Sequence, residues 1–393
     1  MSHRLINRNS DLLRLRSEGY DIEVKNGHLL AHHIPYVNSK KEIAFGVLVT
    51  PLGDLAGDKT TKPQDHVIHF HGEHPCDKEG LVIKGIQHSS EKKTLVEGVE
   101  VDHSFSNKPT DGYPDYYEKI ATYAKIISAP AESIDHSVTA KVFRPVRTDN
   151  DPDEVFNYLD SNSSRAEIQN ITSKLQNLKI AIIGLGGTGS YVLDFVSKTP
   201  VKEIHIFDQD GFLSHNAFRA PGAPAIETLE LQPKKVAYLH GVYSKMHKYI
   251  TPHEYHLTAE VSEELSGMDF VFICVDKGES KKLIVDKLEE KKIPFIDVGV
   301  GIEAVGGKLT GSVRTTAVTE GKNDHIDKRI SFADNGSEDY HNNIQIAELN
   351  ALNAAFAVIK WKKIFGVYHD FGNEHDSVYS INVNQLINND VIS

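Results

Sequence analysis

KIAIIGLGGTGS, residues 179–190, runs a continuous apolar stretch into four glycines. A short run of this kind, apolar at every position, reads as a strand buried on both faces, as in a parallel sheet. It ends in glycine because only glycine lets a backbone approach a phosphate closely with its N–H groups aimed at the anion. Gly184, Gly186, Gly187 and Gly189, at a strand-to-helix turn, therefore predict a nucleotide site.

Outward from this turn, strand and helix alternate. The helix 189–198 is stopped by Pro200, and EIHIFD (203–208) supplies a second strand. A helix over 234–247, the buried strand DFVFICVD (269–276), a helix over 280–292 and the strand PFIDVGVG (294–301) follow. AELNALNAAFAVIKWKK (347–363) reads as a long helix with a basic end that suits the macrodipole. This alternation predicts an α/β fold with a Rossmann-like, doubly wound, mainly parallel sheet.

Upstream the pattern differs. Residues 1–145 are rich in His, Gly and Pro, with short apolar runs at 43–49 and 66–70 that read as strands. Tyr117, Ile120, Tyr123, Ala124 and Ile127 fall on one face of a helix over 116–127. A separate N-terminal α+β domain is expected, then an acidic linker over 146–164, then the nucleotide-binding domain over 165–393. No repeat interrupts the chain.

Composition narrows the function. The 393 residues carry a formal net charge of −12 and no clustered Lys/Arg segment, which argues against a nucleic-acid partner. Two cysteines, far apart in sequence, build neither a disulfide framework nor a thiolate zinc site. A charged amino terminus and the lack of a long apolar run predict a cytoplasmic protein without export signal or membrane span.

Asp208 closes the second strand, where dinucleotide-binding folds hydrogen-bond a ribose, so the glycine turn alone fits NAD as well as ATP. The next residues favour ATP. DQDGFLSHNAFR (208–219) and QPKK (232–235) add cations that a terminal triphosphate needs and a bridging diphosphate does not. Arg219 is placed to fork β/γ oxygens, Lys234 to meet the α-phosphate, and Asp276, after the third strand, to hold Mg²⁺.

GLGGTGS, DQDGFLSHNAFR, QPKK and CVDK, in this order, resemble the adenylation domain of the ThiF/MoeB/E1 superfamily over roughly residues 160–310. The resemblance implies that the glycines meet the phosphates and Asp208 the ribose, with Asp210 beside it in the same motif. It implies that Asn216, Arg219 and Lys234 hold the triphosphate and the new acyl phosphate, with Asp276 on magnesium. It further implies a homodimer, with Arg165 reaching the partner's ATP. The N-terminal region resembles that of an uncharacterised bacterial subgroup found with ubiquitin-like proteins. The activity so implied is adenylation of the C-terminal carboxylate of a ubiquitin-like or other small protein, with an E2-like acceptor as a further partner. Adenylation of a peptide or small carboxylate, and NAD-dependent oxidoreduction, are the alternatives.

The chain departs from many E1 enzymes in having no cysteine after Cys274. Cys274 reads as a core residue. Cys76, in HFHGEHPCDKEG, is the candidate nucleophile, because His69, His71 and His74 stand near enough in sequence to lower a thiol pKa. No separation among these histidines matches an i, i+4 metal pair.

Overall fold

The computed structural model describes residues 2–53, 59–148, 154–257, 261–276, 278–332 and 344–391. The chain divides into two compact units, residues 1–147 with 159–167, and residues 148–158 with 168–393. The segment read as a linker is thus shared between the units, and its residues 149–153 lie outside the described ones.

The first unit opens with α1 (Ser2–Arg8) and α2 (Ser10–Ser17). An antiparallel meander follows: β1 (Asp21–Lys25), β2 (His28–Val37), β3 (Ile43–Pro51) and β4 (Val67–His71). After β5 (Gln87–Ser89), β6 (Lys93–Val96), β7 (Val99–Val101) and β8 (His103–Ser106) come α3 (Tyr116–Ile134) and α4 (Ser161–Arg165). The main sheet runs β1-β2-β3-β4-β8-β5, with β6 and β7 as a separate ribbon. Asp115 caps α3 by accepting the Glu118 N–H at 2.8 Å. The apolar stripe read at 116–127 is buried, with Ile120, Tyr123 and Ile127 at 0% exposure in one cluster with Leu48, Ile68 and Phe70.

In the second unit α5 (Gln169–Thr172) leads to β9 (Lys179–Ile183), α6 (Gly187–Val196) and β10 (Glu203–Phe207). Two short helices, α7 (Ser214–Ala217) and α8 (Ile226–Glu230), precede α9 (Lys235–Tyr243) and β11 (Ile250–His253). Then come β12 (Phe270–Ile273), α10 (Gly278–Lys291), β13 (Phe295–Val305), β14 (Lys308–Val318), α11 (Ile326–Arg329), α12 (Ala347–Ile364), β15 (Asp376–Ser380) and β16 (Gln385–Asn389). The sheet order is β11-β10-β9-β12-β13-β14-β15-β16, parallel from β11 to β13 and antiparallel beyond.

The continuous apolar reading of β9 is explained by its surroundings. Ile180 and Ile182 face one core, with Val192 of α6 and Trp361 of α12, while Ala181 and Ile183 face another, with Ile284 and Leu288 of α10. Helices therefore cover both faces, the doubly wound, largely parallel α/β arrangement expected from the alternation. The chain leaves β9 for β10 and β11 in one direction and for β12 and β13 in the other. Open sheets of this kind bind ligands beyond the carboxyl ends of the strands at that reversal. Among the described residues no helix is long and apolar enough to cross a membrane.

Candidate nucleotide site

At the reversal lies a cavity of about 1220 Å³. Gly184 leaves β9 with φ +87°, a left-handed conformation that favours glycine. Gly186 caps α6, and a Cβ on Gly189 would stand 1.9 Å from the Gly184 carbonyl oxygen, so the turn closes only with hydrogen there. Behind it Asn350 of α12 packs on Gly187, where a Cβ would meet Nδ2 at 1.9 Å. The result is a helix N-terminus of ten-residue α6, with its unpaired N–H groups and positive dipole end, opening on the cavity.

Asp208, 9% exposed at the end of β10, ties this turn in place. Its Oδ2 accepts the Leu185 N–H at 2.7 Å and its Oδ1 the Asp210 N–H at 2.8 Å. Asn216, buried in α7, accepts the Leu213 N–H at 2.9 Å. Asp210, Asn216, Arg219 and Asp276 all line the cavity with Gly184, Gly186 and Gly187. Gly189 lies one turn behind in α6.

Lys234 requires a correction. It is exposed, donates to the Gln209 carbonyl at 2.6 Å and is absent from the cavity wall, where its neighbour Lys235 stands instead. The reason is local. Residues 211–212 pair with 233–234 in an antiparallel bridge that holds Lys234 extended as the residue before α9, while Lys235 is already the first residue of that helix and leaves the backbone in another direction. Lys235, 7% exposed, reaches Asp210 at 2.8 Å and Asp208 at 3.5 Å. Burial, with the Arg219 and Lys235 cations close by, lowers the pKa of His215 on the same wall. That end of the cavity thus carries two cations, Arg219 and Lys235, the latter paired with Asp208 and Asp210. Phe207, Tyr255 and Leu257 supply an apolar wall that suits a purine.

A single carboxylate at Asp276 meets what magnesium asks of a protein when substrate phosphates provide further ligands. Among the described residues no cluster of three or more His, Cys, Asp or Glu side chains forms a self-sufficient metal cage. Asp276 follows β12, exposed on the cavity wall.

Arg165, expected to act on a second copy's ATP, ends α4 in the first unit, exposed, with its guanidinium 5.4 Å from the Phe143 ring centroid. Cys76 does not have the environment of a nucleophile: it is 1% exposed, and its Sγ donates to the His74 carbonyl at 3.3 Å. Burial raises its pKa, as do Asp77 and Glu73, whereas the nearby histidines were expected to lower it. His71 is turned to Asp102 at 3.0 Å and His74 to the Pro75 carbonyl at 3.1 Å. Cys274 touches the cavity, yet its thiol sits deep in the wall and its pKa is also raised, by burial first and then by Asp297.

Lys281, Asp297 and Arg314 were not singled out from the sequence. Lys281 and Arg314 line the cavity, and Asp297 lies fully buried behind them. An acid inside the apolar run PFIDVGVG was the available signal.

Comparison with known proteins accords with this geometry. Residues 134–363 match the ThiF family, more than half of the chain. The chain belongs to the ThiF family. Residues 10–161 match a domain of unknown function, DUF6791. Ubiquitin-like modifier-activating enzyme 5 of Drosophila grimshawi is 25% identical over 147 residues, covering 35% of this ThiF-family chain and 37% of that enzyme. The same enzyme of Aedes aegypti is 22% identical over 152 residues, with the same shares. The chain thus spans little more than a third of the length of these relatives. Among solved structures, E. coli MccB with ATP gives a TM-score of 0.46 at 14% identity, over 56% of this chain and 66% of that one. PaaA gives 0.46 at 13%, over 59% and 80%.

Proposed function

We propose that this ThiF-family chain uses ATP and Mg²⁺ to adenylate the C-terminal carboxylate of a small ubiquitin-like protein. The observation that carries the reading is the convergence on one cavity of the α6 N-terminus, Asn216, Arg219, Lys235 and Asp276. A triphosphate uses both cations of this set, Arg219 and Lys235, where the bridging diphosphate of NAD carries less charge for them to meet. The substrate class is supported by the relatives, which carry the name of ubiquitin-like modifier-activating enzymes.

In the proposed reaction a carboxylate oxygen attacks the α-phosphorus of ATP. A new O–P bond forms, the α,β-bridging oxygen leaves with its electron pair as pyrophosphate, and an acyl adenylate results. The nucleophile is already ionised at neutral pH, so no general base is needed. The α6 N–H groups and Lys235 hold α-phosphate charge, Arg219 holds β/γ oxygens, and Asp208 fixes the turn that presents them. Magnesium at Asp276 would neutralise charge on the leaving pyrophosphate. The reading includes a cytoplasmic homodimer in which a second copy supplies Arg165, and an E2-like acceptor for the activated acyl group.

ATP–pyrophosphate exchange tests this. Exchange should require a ubiquitin-like protein with a free C terminus and should be lost in Asp276→Ala. Exchange supported by a short peptide alone would transfer the reading to peptide activation, and tight NAD binding without ATP binding would end it.

A further inference from the structure

The cavity extends past the phosphate end to a second charged site. Asp297 on β13 is 0% exposed and holds two cations. The Lys281 ammonium stands 2.9 Å from its Oδ1, close but without hydrogen-bond alignment, and Arg314 on β14 donates Nη2 to its Oδ2. Arg314 Nη1 is braced by Thr316, whose hydroxyl donates in turn to Asp376 at 2.8 Å. The guanidinium is therefore fixed in plane from two directions.

The trio carries one net positive charge and meets the cavity through Lys281 and Arg314, with the next carboxylate, Asp376, one hydroxyl away beyond Thr316. Lys281 and Arg314, both largely withdrawn from solvent and sharing Asp297, can take a further anion from the cavity that both of them line. One net charge matches a carboxylate, not a polyphosphate. The backbone beside the trio adds shape. Register pairs Gly299 with Arg314 and Gly301 with Ser312, on the same face as Asp297. A Cβ at Gly299 would lie 3.1 Å from Arg314 Nη2, while one at Gly301 would meet nothing within 4 Å. A stretch of β13 without side chains thus leads up to the cations, a floor for an extended chain end of small residues.

We infer that Arg314 and Lys281, positioned by buried Asp297, seat the carboxylate that is to be activated, and that the floor at Gly299 and Gly301 receives the last residues of an extended polypeptide. This rests on the adenylation reading, with the phosphates at the α6 end and the acyl group at the β13–β14 end. When the carboxylate oxygen bonds to phosphorus its charge is lost, so the seat grips the substrate and loosens on the acyl adenylate.

The test uses the full chain saturated with α,β-methylene-ATP, and two probes, N-acetylglycylglycine and its C-terminal amide, titrated by NMR. The acid should bind at least about tenfold more tightly than the amide, the range expected for a charge-assisted pair of hydrogen bonds. Arg314→Gln and Lys281→Met should each remove most of that preference and leave nucleotide affinity within about twofold, and Gly299→Ala should weaken it by displacing the guanidinium. Thermal melts identify any variant that fails to fold, and the remaining variants decide. Equal binding of acid and amide, binding of neither, or parallel loss of nucleotide in Arg314→Gln would overturn the seat while leaving the ATP site standing. Failure of the nucleotide analogue to bind the native chain would instead remove the adenylation reading and the seat with it.

Discussion

The Lys235 ammonium lies 3.5 Å from the Asp208 carboxylate, and both side chains are almost wholly withdrawn from solvent. Burying such a pair has a desolvation cost, so its position is more informative than its contribution to stability. The same carboxylate anchors the glycine turn through the Leu185 N–H. One acid therefore sets both the turn and the cation on the cavity wall.

Lys235→Ala should weaken ATP binding by roughly 10- to 100-fold, because a charged hydrogen-bond donor to phosphate is lost. Lys234→Ala, at an exposed side chain, should stay within about twofold. Calorimetric titration of the two variants separates them, and equal losses would show that the cavity-facing lysine is misassigned.

Gly189→Ala should unfold well below the native chain. Its methyl would overlap the Gly184 carbonyl, a backbone atom that cannot rotate away, and overpacking of this kind costs about 1–3 kcal/mol or more. Gly241→Ala in α9 is the matched control: nothing lies within 4 Å of the added Cβ, and the change should stabilise by about 0.5–1 kcal/mol. Denaturant midpoints would report both signs.

Neither thiol should react quickly with a disulfide reagent at pH 7.5. Cys76 is buried, and the pKa of both thiols is raised by burial, so modification should follow the rate of opening. Cys76→Ala should retain pyrophosphate exchange. Fast stoichiometric labelling of the folded chain would contradict this placement.

Acid should destabilise the second unit through His247. This side chain is 0% exposed, hydrogen-bonded to the Val201 carbonyl at 2.9 Å, and burial pulls its pKa down to about 4. An unfolded histidine takes its proton near pH 6.5, so between 6.5 and 4 the unfolded chain binds a proton that the folded chain refuses. The stabilisation is complete above pH 6.5 and falls by up to about 1.4 kcal/mol per pH unit as pH drops towards 4. In urea titrations His247→Phe should flatten that slope even if it lowers stability at pH 7.5.

The parts of this fold that were legible in sequence are those whose pattern is set locally. β9 is apolar at both parities because helices cover both faces, and the left-handed φ of Gly184 and the close approach of Gly189 to the Gly184 carbonyl are set within six residues of chain. The helix over 347–363 appears with its end one residue later, at Ile364. What was not legible depends on distant pairing. β14, β15 and β16 carry exposed and polar residues, and only their antiparallel register with β13 brings Arg314 beside Asp297. Lys234 and Lys235 are chemically identical neighbours, and which one faces the cavity is decided by the bridge between residues 211–212 and 233–234. For Cys76, sequence proximity to histidines says nothing of burial, and burial governs that thiol.

Asn350 packs on Gly187 across more than 160 positions of chain, its amide donating to the Arg219 carbonyl and its Oδ1 lying 3.2 Å from the Thr188 hydroxyl. A nascent polypeptide emerging from the ribosome therefore carries its glycine turn and both flanking strands long before the wall behind them exists. Until α12 arrives, the half-built parallel sheet lacks that cover and is left exposed to aggregation while residues 184–346 are added.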